Sequence, residues 1–365
     1  MVNKLIKMHK ISWAEPRIEK EEHDAIKKII DSNWLTQGQV TVKLEKKISQ
    51  YTGSKHAVVT NNGTSSLICS LLSHGIGKND EVVVPSFTFV ASVNAILSVG
   101  AKPVLVDCNP RTFNTDVDFV KKKITKKTKA IMPVDVSGMP VDVDAFRDLA
   151  KEKNLTLIQD SAEGIGAKYK QKKTGSFGHS TIFSFHMAKV VAGVEGGCIV
   201  TNDKQIADKA RLIRSHGDAN QYNHKLFGLN FRISDLHSAI VIEQLKKINK
   251  FLKHRQLIAK IYKEELNNFE FQEIPNFVSF HPFMLFAILT PKRIRNNLNK
   301  YLQKNGIETR ICWPPVHKQP FHSQFFKNNY PNSEEIYSKI INLPMGNNLT
   351  EKDTLEIIKI IKKWN

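Results

Sequence analysis

Cysteine is scarce. Four residues, Cys69, Cys108, Cys198 and Cys312, are spread along 365 positions, and no two form a C-x-x-C pair. That scarcity argues against a disulfide framework and against a structural zinc site, and no metal centre is expected. Long apolar runs are missing too, so nothing reads as a bilayer span. The opening MVNKLIKMHKISW is basic but has no continuous apolar core, so no secretory leader is expected. A reducing cytoplasm is the expected home, and the sequons at Asn62, Asn154 and Asn348 then carry no glycan. There is no Walker loop, no G-x-G-x-x-G turn and no H-E-x-x-H helix. Internal repeats and low-complexity segments are absent as well.

Acidic residues are in short supply, 35 against 54 lysines and arginines, which leaves a net charge of +19. A basic chain can favour nucleic acid, an anionic membrane or an anionic substrate. Here the lysine clusters are small and scattered, as at Lys121-Lys122-Lys123 and Lys172-Lys173. No stretch interleaves Arg with aromatics, so neither nucleic acid nor membrane is an expected partner. An anionic small substrate needs only a few of these charges.

What is present is alternation. Apolar runs at Ala57–Thr60, Glu81–Pro85, Lys102–Asp107, Lys129–Val134, Thr156–Gln159, Thr181–Phe185 and Cys198–Thr201 read as strands, with helical stretches between most of them. That pattern predicts an α/β fold: a mostly parallel seven-stranded sheet sandwiched by helices. A long helix is expected from Asp235 to about Phe251. Beyond it, helices near 256–268, 291–304 and 351–363 and β-like stretches near 271–274, 283–290 and 308–312 predict a smaller α+β domain. The expected division is 1–250 and 251–365. Residues 1–16 read as an arm, and Asn33–Gly38 as a polar loop carrying one Trp or else as a capped turn with Trp34 buried.

Chemistry in a parallel sheet collects at the carboxyl ends of its strands. Asp160 stands at such an end, where a carboxylate needs a cationic or N–H partner, or else caps the next turn. After Ala57–Thr60 comes Asn61-Asn62-Gly63-Thr64-Ser65-Ser66, then a helix expected from Leu67. Such a turn is either a phosphate cup or a plain helix cap. The stretch Gly175–Thr201 holds one lysine, Lys189, between Met187-Ala188 and Val190-Val191, ahead of Gly193, Glu195, Gly196 and Gly197. It reads either as a desolvated nucleophile or as a surface lysine with its stem on apolar neighbours. Each feature is ambiguous by itself. A strand-end Asp, a lysine, a phosphate cup and the aromatics Phe87 and Phe89 are together what pyridoxal 5'-phosphate uses: a partner for its ring nitrogen, an amine, a phosphate seat and a stacking ring.

The motifs also resemble a family in order and spacing. They are Trp34-Leu35-Thr36-Gln37-Gly38, Asn62-Gly63-Thr64, Val84-Pro85-Ser86-Phe87-Thr88-Phe89, Gln159-Asp160-Ser161-Ala162-Glu163, Phe183–Lys189, Glu195-Gly196-Gly197, Gly228–Asp235, Gly306–Arg310 and His317–Pro320. Over nearly its whole length the chain resembles the sugar-nucleotide aminotransferases of the DegT type, within the aspartate-aminotransferase-like fold. The resemblance implies Lys189 as the catalytic, cofactor-linked residue. It implies Asp160 at the pyridine nitrogen, Glu163 near the ring oxygen, Phe89 on the ring, and Gly63, Thr64, Ser65 and Ser184 at the phosphate. Asn230 would reach the neighbouring subunit's phosphate, which implies a homodimer with a shared active site. Thr36 and His317 would approach the nucleotide sugar. Glutamate is the implied amino donor, and a 4-keto-6-deoxyhexose the implied acceptor. The alternatives are a 3-keto sugar nucleotide, a sugar dehydratase, an amino-cyclitol transaminase and a non-catalytic regulator. A dehydrating class has His in place of the lysine, and Lys189 speaks against it. Four positions depart from the family pattern: Asp135 and Ser137 where His precedes the strand-end aromatic-Gly pair, Ser161 for Ala, and Val194 for Gly.

Overall fold

The computed structural model describes residues 10–177 and 180–364. The first nine residues of the arm, where the leader reading falls, and Gly178-His179 lie outside the described residues. Seven strands form the central sheet: β1 (His56–Thr60), β2 (Glu81–Pro85), β3 (Lys102–Val106), β4 (Thr128–Ile131), β5 (Thr156–Asp160), β6 (Ser180–Ser184) and β7 (Gly197–Thr201). They are the seven runs expected from the sequence. Their order is β1-β7-β6-β5-β4-β2-β3. Pairings from β6 to β3 are parallel, and β7 runs antiparallel to both β1 and β6. Val, Ile and Leu fill these strands because both faces are covered.

Helices supply the cover, beginning with α1 (Lys20–Asp31). On one face, α3 (Gly63–Ser73), α4 (Ala91–Ser98) and α6 (Lys204–Arg214) pack Leu67, Val93, Ile96 and Ile213 onto Val58, Val82, Val84 and Ile182. On the other, α2 (Gln39–Thr52) and α7 (Asp235–Lys246) bury Leu44, Ile48, Val241 and Leu245 against Val59, Phe183 and Val200. Further along that face, α5 (Val143–Lys153) sets Phe146 and Leu149 on Val83, Ile131 and Leu157. Burying one such side chain contributes about 1.5–3 kcal/mol.

A second sheet, β8 (Glu270–Phe271), β9 (Phe286–Leu289) and β10 (Ile340–Leu343), is antiparallel throughout. Its core joins Ile258 and Tyr262 to Leu298, Leu302, Ile357 and Ile361. Ile11 of the arm bridges to Ile307 and packs into this core. The helical stretch expected to end near Phe251 ends at Lys246, and α8 (Ile248–Glu265) follows directly. The β-like stretch 308–312 makes one isolated bridge, Arg310 to Asn342, and is otherwise irregular. Trp34 is 58 % exposed, so the reading of that turn as burying its Trp is corrected. The turn is instead held by Asp235, which accepts from the backbone N–H groups of Gly38 (2.9 Å), Val40 (3.1 Å) and Thr41 (2.9 Å). These are the orphan donors at the start of α2.

Candidate active site

Asp160 closes β5 at its carboxyl end and is 4 % exposed. Its Oδ2 accepts from the Ser92 hydroxyl at 2.7 Å and its Oδ1 from the Ala162 N–H at 3.1 Å. Burial pushes its carboxyl above the usual range, and the Ser92 bond pulls the other way. It makes no ion pair with any other described residue. A buried carboxylate with two neutral donors and no cation is costly by itself and is matched by a cationic ligand atom.

Lys189 sits in the loop that joins β6 to β7. The loop is tight: the Phe185 N–H donates to Gly196, Met187 to Val194, and Gly193 back to Phe185. Glycine is required at 193, where a Cβ would lie 2.3 Å from the Val241 side chain. Val194 has φ +68, a left-handed conformation that strains a β-branched residue and suits the glycine of the family pattern. Val190 and Val191 are fully buried, but the Lys189 amine does not lie among them. Its Nζ donates to Glu163 Oε1 at 3.0 Å, with both side chains mostly covered. Glu163 Oε2 accepts from the Ser137 N–H at 3.0 Å, so the pair is anchored from both sides.

Opposite them lies the helix start. The sequence places the helix from Leu67, but α3 begins at Gly63, so Gly63, Thr64 and Ser65 form its first turn. Asn62 is the N-cap, and its Oδ1 accepts from the Ser65 N–H at 2.8 Å. A Cβ at Gly63 would stand 3.1 Å from the Ser184 Cβ, so the helix start and the end of β6 touch across this glycine. Free N–H groups, the helix dipole and hydroxyls at one point suit an anion. Gly63→Val is expected to close this space. Affinity for inorganic phosphate should fall about tenfold or more, roughly 1.4 kcal/mol, as read by calorimetry. The melting temperature should stay within a few degrees, because this is the first position of a helix and not its interior.

One cavity of about 580 Å³ joins these groups. Gly63, Thr64, Ser65, Phe89, Asp160, Glu163, Ser184 and Lys189 all line it. Phe89 is 55 % exposed and lies 6.3 Å from Trp313, centroid to centroid. Asp135, marked by the sequence as a departure from the family pattern, lines the cavity too, whereas sequence reasoning missed Trp13, Ser92, Met284 and Trp313. Ser92 carried a readable signal, one helical turn after Thr88, to which it is bonded at 2.9 Å. The others come from distant segments and carried none. His186 and Glu195 also face the cavity, 3.9 Å apart, and burial holds His186 below its ordinary range.

Three expected site residues lie outside this lining. Thr36 is exposed, and its carbonyl accepts from the Asp235 N–H at 3.2 Å. Asn230 is exposed, next to Phe231, whose carbonyl accepts from Asn61 at 2.9 Å beside the cup. His317 is 4 % exposed, with Nδ1 at 2.6 Å from the Ser86 hydroxyl and Nε2 at 3.0 Å from Glu334. Both ring nitrogens are thus engaged, and burial lowers its pKa. It braces the segment that carries Trp313.

The model of the DegT/DnrJ/EryC1/StrS aminotransferase family matches residues 16–362. The chain is 36 % identical over 358 residues to a GDP-perosamine synthase of Caulobacter vibrioides, covering 96 % of each. It is 32 % identical to a dTDP-3-amino-3,6-dideoxy-alpha-D-galactopyranose transaminase of Aneurinibacillus thermoaerophilus, covering 95 % of this chain and 96 % of that one. Spr1654 of Streptococcus pneumoniae, solved in a PLP-form, superposes with a TM-score of 0.92 at 26 % identity, covering 96 % and 97 %. Fold, strand-end site and relatives define an aminotransferase. The chain belongs to the DegT/DnrJ/EryC1/StrS family.

Proposed function

We propose that this aminotransferase moves the amino group of glutamate onto a nucleotide-linked 4-keto-6-deoxyhexose, with pyridoxal 5'-phosphate as its cofactor. The residues fit that group. Asp160 is a buried carboxylate in need of a cation, Asn62 caps a helix start open to an anion, and an amine stands between them in one cavity. When bound, the cofactor supplies an electron-withdrawing ring that relays the amino group. Asp160 would face its ring nitrogen, Glu163 its ring oxygen, Phe89 its face, and Gly63, Thr64, Ser65 and Ser184 its phosphate.

The chain's own part is to place groups and move a proton. Lys189 Nζ is held by Glu163, which in turn is fixed by the Ser137 N–H. An amine so placed can take a proton from the carbon bearing the donor's amino group and return it on the acceptor side. Trp13, Phe89, Met284 and Trp313 give the cavity apolar walls. The Lys189–Glu163 pair facing Asp160 across one cavity is the observation that carries this reading.

The name of the Caulobacter relative supports amination at carbon 4 and a GDP-linked acceptor. The Aneurinibacillus relative is named for a 3-amino sugar, which keeps carbon 3 as the second reading. A homodimer is proposed as the active unit. Trp34, Phe89, Val194 and Phe227 are exposed apolar side chains that a partner would cover, and Asn230 is exposed, where it could reach a neighbour's site. The purified protein, loaded with cofactor and glutamate, should be offered GDP-, dTDP- and UDP-linked 4-keto and 3-keto sugars. Mass spectrometry is expected to find an amino sugar from a 4-keto substrate at least about tenfold faster than from its 3-keto isomer. Product from 3-keto sugars alone would remove the carbon-4 reading.

A further inference from the structure

Asp135 is among the most completely buried carboxyl groups in the structure, at 1 % exposure. It lies on the segment after β4, beside the end of β5. Its N–H donates to the Asp160 carbonyl at 2.9 Å, and Val134 bridges to Asp160, so the two acids stand at neighbouring strand ends. The Asp135 side chain then takes hold of both residues that flank Asp160. Gln159 Nε2 donates to Oδ1 at 3.0 Å and Oδ2 at 2.9 Å, and the Ser161 hydroxyl donates to Oδ2 at 2.7 Å. The Val141 N–H adds a bond to Oδ1 at 3.0 Å. Space is reserved for this arrangement: a Cβ at Gly164 would lie 2.1 Å from the Ser161 hydroxyl. Two of the departures from the family pattern, Asp135 and Ser161, are thus the two ends of one hydrogen bond.

We propose that Asp135 is a positioning residue for Asp160, fixing its direction through Gln159 and Ser161 and sharing with it the negative charge of this strand end. The inference rests on the reading of Asp160 as the partner of the ring nitrogen. The titratable groups packed around Asp135 are Asp160 on the next strand, and Glu163 with its partner Lys189 in the loops above. Among the described residues, no cation bonds Asp135 itself. Burial, reinforced by the Asp160 charge, pushes its carboxyl up to about 7, while Ser161, Gln159 and Val141 pull it down. A protonated Asp135 needs an acceptor, and one is waiting. Gln159 Oε1 is buried and makes no hydrogen bond. Turning that amide over would present Oε1 to the acid proton, so Gln159 can serve either state.

The proposal makes two kinds of measurement answerable on the apo-protein. First, infrared titration should show an un-ionised carboxyl band in the wild type that disappears as pH rises through about 7. The band should be absent in Asp135→Asn. It should move to lower pH in Asp160→Asn, where the neighbouring charge is gone, and to higher pH in Ser161→Ala, where a donor to the charged form is gone. Second, tryptophan fluorescence should follow binding of pyridoxal 5'-phosphate and, separately, of inorganic phosphate. Asp135→Asn and Ser161→Ala are each expected to lower pyridoxal phosphate affinity about three- to tenfold and to leave phosphate affinity unchanged. If Asp160→Asn weakens cofactor binding while both other variants bind as wild type, the positioning role is overturned and the site reading stands. If Asp160→Asn binds the cofactor as wild type does, the site reading itself falls. Equal losses for phosphate and cofactor would show a merely structural residue and also overturn the proposal. Should Asp135→Asn not fold, Ser161→Ala alone decides both readouts.

Discussion

Lys189→Ala is expected to abolish transamination and the near-visible absorption of the loaded protein together. General acid–base transfer by itself is worth about 10²–10⁴-fold, so turnover should fall by at least roughly 10³-fold. The amine is the only lysine nitrogen lining the cavity among the described residues, so no second group stands ready to replace it. Removing it also strips Glu163 of its cation, though the Ser137 N–H remains as a donor to that carboxylate. A folded, inactive Lys189→Ala could therefore be blamed on a disturbed Glu163. Lys189→Arg separates the two causes, since it keeps a cation near Glu163 yet offers no nucleophilic amine. Both variants should be inactive and both should keep the wild-type circular dichroism spectrum. Full turnover by either one would end the assignment of Lys189.

Asp160→Asn should be nearly as damaging, and for an electrostatic reason. Losing one partner of a buried charge pair costs about 3–5 kcal/mol, which corresponds to roughly 10²–10⁴-fold in turnover. The apo-protein should not share that loss. The Asn carbonyl still accepts from the Ala162 N–H, and the Ser92 hydroxyl can turn to accept from the new amide. The variant also removes a carboxyl whose ionisation burial opposes. The sign follows from linkage: a raised carboxyl keeps its proton in the folded state after the unfolded state has released it. Its contribution to stability is complete below the unfolded pKa and is lost as pH rises through the folded one. The apo form of Asp160→Asn should accordingly lose less stability than wild type as pH rises from about 4 toward neutrality. Calorimetric scans at several pH values check this, alongside cofactor affinity. A variant that loses folding and activity in equal measure would show Asp160 to be a structural group.

How much of this was legible in the sequence depended on whether a signal was local. The seven strands of the main sheet were readable because both faces of each are buried, so Val84, Ile158 and Ile199 stand in short apolar runs. The start of α3 was placed four residues late. Gly63, Thr64, Ser65 and Ser66 are weak helix formers, and only the Asn62 cap marks the true beginning. The turn between α7 and α8 left no trace, since apolar spacing continues through Lys247 and one residue changes the direction. The third strand of the small sheet, Ile340–Leu343, follows directly on the helix Pro331–Lys339, and neither was expected from the sequence. At the site, Asp160, Lys189 and the cup were found through motif order. The bonds from Asp135 to Gln159 and Ser161 join positions more than twenty residues apart, and nothing in either segment names the other. The sequence did mark Asp135, Ser161 and Val194 as unusual. Only packing shows that the first two form a bond and that the third is strained.

The placement of β1 has a consequence for synthesis. Its only strand partner among the described residues is β7, yet β1 leaves the ribosome long before β7 is made. At about 5–20 residues per second the wait is on the order of ten seconds. Throughout it, Ala57, Val58 and Val59 lack that partner, and the helix start at Gly63 follows them directly. The growing chain must shield that segment, by its own collapse or with a chaperone, until Gly197–Thr201 arrives to slot between the first strand and the sixth. The helix start at Gly63 and the loop that carries Lys189 are therefore both completed by the same late event, the closing of the sheet by that strand.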